Sequence, residues 1–149
     1  MARPVVTVVD PPRPEQEARV IRPLDLVSHA LEASGIARLP AITHELVGAE
    51  KLWVGVTILE PGATTGPHHH GDRETGVYMV AGRVLLRWGS RLEANAELEV
   101  GDLAFVPPHL SHEVVNPSPD KPAVLVVVWN GDHVSVPIGP DADDLHGQD

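Results

Sequence analysis

The sequence predicts an all-β fold, a sandwich or barrel of many short strands, with one short helix near the N-terminus. Two observations carry this. From Ile36 onward, short apolar or alternating runs are separated by turn residues, the pattern of a β-sandwich or barrel. Fifteen prolines and thirteen glycines are spread along the chain, as a fold with many turns requires.

Taken in order, Val5–Val9 is a β-branched run that Asp10, Pro11 and Pro12 end abruptly, and residues 11–16 read as an extended linker. Leu24–Ala33 places Leu24, Val27, Ala30 and Leu31 at helical spacing, with Gly35 as the stop. Ala41–Val47 and Leu52–Leu59 read as a hairpin around Gly48-Ala49-Glu50, closed by Pro61-Gly62. Val77–Val80 and Val84–Trp88 flank Gly82, and Gly89-Ser90 makes the next turn. Leu98–Val100, Leu103–Val106, His112–Val115 and Ala123–Trp129 complete the set, with His133–Ile138 as a last strand. The chain therefore divides into an N-terminal strand, linker and helix (1–35), a β body (36–138) and an acidic, frayed tail (139–149).

A chain of 149 residues and 16.0 kDa fits one domain and can bury enough surface to fold without staples. Its net charge of −10, from 21 acidic and 11 basic residues, leaves no basic stripe for nucleic acid and disfavours anionic membrane surfaces. No stretch approaches the roughly 20 apolar residues of a membrane span. The first twenty residues lack the apolar core of a signal peptide, so the cytoplasm is the expected location. With no cysteine, disulfides and thiolate ligation are excluded, and a bound metal must be held by nitrogen and oxygen.

Two segments concentrate such donors. Gly62–Gly82 reads GATTGPHHHGDRETGVYMVAG, and Gly101–Asn116 reads GDLAFVPPHLSHEVVN. Alternate residues of a strand share a face, so His68 and His70 can point inward together while His69 points away. Glu74 has the parity of His68 and His70; Thr75 does not. Two imidazoles and one carboxylate on one face could form a facial set, and His112 on a later strand could add a third imidazole. Such an N/O set suits a divalent transition metal and leaves coordination positions open. Asn116, four residues beyond His112, is a candidate for fixing the strand, or for a turn before Pro117. Trp53, Trp88, Trp129, Tyr78 and Phe105 fall in strands, where core packing is expected. Tyr78 and Trp53 could also line a cavity. His29, His44, His133 and His146 lie outside either segment and read as surface residues.

The spacing of Gly62, His68, His70 and Glu74 resembles the first signature motif of the cupin superfamily. That of Gly101, Pro107, His112 and Asn116 is similar to the second. The resemblance extends to small single-domain bacterial cupins of RmlC-like type carrying the stretches seen here as His68–Thr75 and Arg87–Glu93. It implies a cupin β-barrel (a double-stranded β-helix, or jelly roll) in which His68, His70, Glu74 and His112 hold one divalent metal, Fe, Mn, Zn, Ni or Cu. Two departures stand out. Glu74 precedes Gly82 by one residue more than the usual spacing, which would put Thr75 in the glutamate slot unless a bulge absorbs the difference. His109 stands where the second motif has glycine; histidine tolerates positive φ, so the turn can survive. His109 and Tyr78 are the candidate acid/base groups.

The resemblance implies an enzyme of small-molecule metabolism, with oxygenase, isomerase, decarboxylase or lyase chemistry. The alternatives are a non-catalytic metal- or ligand-binding sensor and a cofactor-free epimerase-type cupin, against which the intact histidine set speaks. The expected partners are a small-molecule ligand or substrate and a second copy of the chain, a homodimer to which Val5–Val9 could lend an edge strand.

Overall fold

In the computed structural model, which describes residues 17–28 and 30–138, two strands with strict alternation form the centre of the molecule. These are β3 (Trp53–Leu59) and β10 (Ala123–Trp129), in which every other residue is buried. They pair antiparallel from Trp53↔Trp129 to Leu59↔Ala123, so both put their buried residues on the same side. Around them lie α1 (Pro23–Ser28), β1 (Leu31–Ala33), β2 (Ile36–Ile42), α2 (His44–Val47), β4 (His68–His69), β5 (Thr75–Ala81), β6 (Arg83–Trp88), β7 (Ala94–Glu99), β8 (Leu103–Val106), β9 (His112–Val115) and β11 (Val136–Pro137). One sheet has the order β1-β2-β3-β10-β5-β8 and the other β11-β4-β9-β6-β7, and every pairing is antiparallel.

The inner faces of the two sheets share one apolar cluster. Leu59, Met79, Leu125 and Trp129 from the larger sheet meet Val84 and Leu98 from the smaller. Each such side chain, fully buried, contributes about 1.5–3 kcal/mol. Trp53 packs 4.5 Å from Trp129, centroid to centroid, and lies back along its own strand. Only glycine fits beneath it, since a Cβ at position 55 would come 2.5 Å from the indole. Asn116, fully buried, fastens three segments. Its Nδ2 donates to the carbonyls of Leu59 (3.1 Å), Glu60 (3.2 Å) and Lys121 (2.8 Å), and its Oδ1 accepts from the Ser118 N–H (3.0 Å). The strand-fixing role expected of it is the one it has.

The N-terminal part of the description differs from the sequence expectation. The helix spans only Pro23–Ser28, and Leu31–Ala33 is a strand paired with β2. Ser34 (φ 54°) and Gly35 (φ 78°) form a two-residue hairpin turn with positive φ at both positions, so Gly35 turns a strand instead of stopping a helix. Backbone pairing with β2 outweighs the weak helical spacing of a short segment. Residues 44–47 likewise form a helical turn and not strand. The Thr43 side chain accepts from the Leu46 N–H, and Gly48 (φ 77°) ends the turn. Val5–Val9, residues 11–16, His29, the 139–149 tail and His146 lie outside the described residues. Among the described residues no helix is long and apolar enough to cross a membrane.

Candidate metal centre

The ligand geometry begins with the pairing of β4 and β9, where His68 and His112 are direct cross-strand partners. His70 follows β4 and returns to the same side, as strand parity requires. The three rings are 5%, 6% and 3% exposed for His68, His70 and His112, with centroids 4.4–5.0 Å apart. One nitrogen from each lies within 4.8 Å of the other two.

Which nitrogens converge is set by the outer contacts. His68 Nδ1 is 2.8 Å from the Gly66 carbonyl, His70 Nδ1 2.6 Å from that of Val134, and His112 Nδ1 2.9 Å from that of Leu110. A carbonyl can only accept, so each Nδ1 carries the proton and donates. Each Nε2 keeps its lone pair free for the centre of the cluster. Burial, reinforced by the neighbouring imidazoles, holds His68 down to about 4 and His70 down to about 3. His112 is lowered too, mainly by burial. Three neutral imidazoles with convergent lone pairs are the donor set a divalent transition ion takes. The buried residues thus fit a metal.

His69 points outward as its parity requires, accepting the Gly71 N–H on Nδ1 at 3.0 Å. Its ring lies 6.0 Å from that of His109. His109 sits in the left-handed region (φ 63°) and donates its N–H to Gly71 O at 2.8 Å, so the turn survives the replacement of glycine. The side chain is exposed, beside His69, and does not line the cavity onto which the three histidines open. Thr75, Val77 and Met79 face inward along β5, which sends Tyr78 to the outer face, where it is 43% exposed and does not line the cavity.

At the departure, Glu74 and Thr75 take opposite sides of the chain. Glu74 is exposed, its N–H donating to Asn130 Oδ1 at 3.0 Å, and its carboxylate does not join the histidines. Thr75 opens β5, is 3% exposed and faces the cluster, its Oγ1 accepting from the Trp129 Nε1–H at 2.8 Å. The His68–Glu74 parity fails because β4 ends at His69 and a turn, with Gly71 at φ 60° and Arg73 N–H on His70 O, intervenes before β5. Alternation does not carry across a turn.

The histidines open on a cavity of about 40 Å³, room for a few water-sized groups. Its walls are largely aliphatic, with Leu86, Val106, Leu125 and Val127 among them, and Thr57, Thr65, Thr75 and Arg38 as further polar lining. Trp129 forms one side, 4.8 Å from His70, and His133 stacks on the indole at 4.6 Å and 23°, its ring 6.0 Å from that of His70. Trp53 packs against Trp129 and does not line the cavity. The sequence expectation does not include Arg38 in the site, nor the Val134 carbonyl as a partner of His70. Arg38 precedes the expected strand Ala41–Val47 but lies within β2, and Val134 contributes a backbone carbonyl, which no side-chain pattern reveals.

A family model described as "Cupin domain" matches residues 55–129, just over half of the chain, including all three histidines. No curated protein matches. Among solved structures the chain is similar to an oxalate oxidase (TM-score 0.63, 21% identity, 72% of this chain and 57% of that one). It is also similar to the oxalate decarboxylase of Bacillus subtilis at pH 4.6 (TM-score 0.68, 22% identity, 76% and 30%). A further oxalate decarboxylase structure, described for an element that modulates proton-coupled electron transfer, gives TM-score 0.68 and 22% identity over 76% and 31%. The chain thus spans little more than half of the first of these and under a third of the others. At these identities the likeness is one of fold.

Proposed function

Because this chain belongs to the cupin family, we propose that it is a metal-dependent enzyme of small-molecule metabolism, with one divalent transition ion held by His68, His70 and His112. The observation that carries the reading is the convergence of three buried Nε2 lone pairs, each fixed by an Nδ1–H on a backbone carbonyl. Glu74 is exposed, and the three convergent ligands are neutral imidazoles. We read the two sheets as the halves of the cupin jelly roll, with the centre between their inner faces. The oxalate oxidase and oxalate decarboxylase likenesses support chemistry on a small organic molecule.

When bound, the ion supplies Lewis-acid or redox chemistry beside the substrate. The chain's own residues do the rest. Gly66, Leu110 and Val134 carbonyls hold the imidazoles in one tautomer and orientation. The aliphatic walls keep bulk water off a reacting group and strengthen every polar contact inside. Thr75 Oγ1, fixed by Trp129, presents a hydroxyl toward the same chamber. Oxygenase, isomerase, decarboxylase and lyase chemistry are the reaction types this arrangement serves. Exposed Leu103 (77%) and Phe105 (60%) on edge strand β8 support self-association as a dimer.

Elemental analysis of untagged protein prepared without nickel resin tests the centre. About one ion per chain is expected, largely lost in His70→Ala and His112→Ala and kept in His69→Ala. Equal loss in all three variants would mean a loose surface cluster instead. A panel of small hydroxy, oxo and dicarboxylic acids offered to the loaded protein with oxygen tests turnover, and binding without conversion of any would favour a sensor.

A further inference from the structure

Arg38 lies on β2 opposite Thr57 of β3, and Ile36 and Pro40 on the same strand are opposite Leu59 and Gly55. Thr57, Leu59 and Gly55 are all buried on the inner face of β3, so this register aims Arg38 inward, and it lines the histidine chamber. Its guanidinium has no hydrogen bond or ion pair with the described residues. Burial lowers its affinity for the proton. A cation set among aliphatic side chains is costly unless an anion meets it.

No described residue lining that chamber is acidic. Glu74 faces away, and Glu113 is paired with Arg87 at 2.6 Å on the far side of β9. Each of the three imidazoles donates its Nδ1–H to a backbone carbonyl and keeps a free lone pair on Nε2, so the set brings no negative charge. An ion bound to three neutral ligands would keep its full charge, and Arg38 adds another. The interior is therefore cationic inside a chain whose net charge is −10. The chamber is also small, with largely aliphatic walls and only threonine hydroxyls as further polar lining, which limits the occupant to a few heavy atoms.

From this juxtaposition we infer that the substrate or ligand is a small organic carboxylate, its carboxylate gripped by the Arg38 guanidinium and its other end turned to the histidine centre. The inference rests on the metal reading above. A guanidinium fork matches a carboxylate with two parallel N–H donors, which an ammonium or a neutral amide cannot reproduce.

The test compares glycolate with its neutral analogue glycolamide by calorimetry, on wild-type protein and on Arg38→Met and Arg38→Lys, with metal content measured in each. The ion's own preference for a carboxylate is common to all three proteins. The ratio of the two affinities therefore isolates position 38. Wild type is expected to favour glycolate, and Arg38→Met to reduce that preference by about tenfold or more with metal content unchanged, Arg38→Lys falling between. An unchanged preference in Arg38→Met would overturn the inference while leaving the metal centre intact; wild type without metal would instead defeat the metal reading. A measurement without variants keeps the question open to refutation if Arg38→Met does not fold. Glycolate, and not glycolamide, should slow modification of Arg38 by phenylglyoxal, read by peptide mass spectrometry, and equal rates would overturn the inference.

Discussion

Acidifying the metal-free protein should destabilise it through the buried histidines, and the size of the effect follows from the structure. In the unfolded chain His68 titrates near 6.5; in the fold, burial and the neighbouring His112 hold it to about 4. Between these values the unfolded state carries a proton that the native state does not. Stability therefore rises with pH there: it is fully present above 6.5 and is lost as pH falls toward 4. At 1.36 kcal/mol per pH unit, His68 alone accounts for about 3 kcal/mol. That is a large share of the 5–15 kcal/mol typical of a domain. His70 and His112 shift in the same direction, but mutual repulsion couples the three rings and their contributions do not simply add. The assay is urea unfolding followed by tryptophan fluorescence from pH 7 to pH 4, on wild type and on His68→Asn. Asparagine can offer its Nδ2 to the Gly66 carbonyl while removing the titrating ring. Carboxylates titrate alike in both proteins, so the difference between the two curves isolates the imidazole. The gap should close by about 3 kcal/mol over this range, and a saturating divalent metal should delay the wild-type loss to lower pH, because protons and metal compete for Nε2. Parallel curves for the two proteins would refute the assignment of a buried, neutral His68.

Four further outcomes are expected. Glu74→Ala should leave metal content unchanged, whereas Thr75→Val should cost about 1–3 kcal/mol in urea unfolding by removing the acceptor of the buried Trp129 N–H; metal loss in Glu74→Ala would restore the carboxylate to the site. Asn116→Ala should lower stability by about 3 kcal/mol or more, since it strips partners from the Leu59, Glu60 and Lys121 carbonyls and the Ser118 N–H; a loss under 1 kcal/mol in chemical denaturation would show that water replaces them. Gly82→Ala should depress the melting temperature clearly, because φ is +71° and a Cβ would come 2.5 Å from the Pro122 carbonyl, and an unchanged melting temperature would count against that turn.

The sequence alone determined the β character, seven strand positions from Leu52–Leu59 to Ala123–Trp129, and the inward pair His68 and His70 with His112 as their partner. Each of these is written in local terms, as alternation within a strand or as donor chemistry at fixed spacing. Only the tertiary structure decided what depends on how segments meet. The turn between β4 and β5 breaks the parity that favoured Glu74, leaving it exposed while Thr75 faces inward. Pairing of Leu31–Ala33 with β2 converts the end of a helical pattern into a strand. The Val134 carbonyl, 64 positions beyond His70, fixes that imidazole's tautomer, and Arg38 reaches the chamber through its register with Thr57. A ligand's spacing is legible along the chain because a strand is periodic. Its protonation, its charge partner and the sign of the cavity are set by contacts between segments that local spacing does not encode.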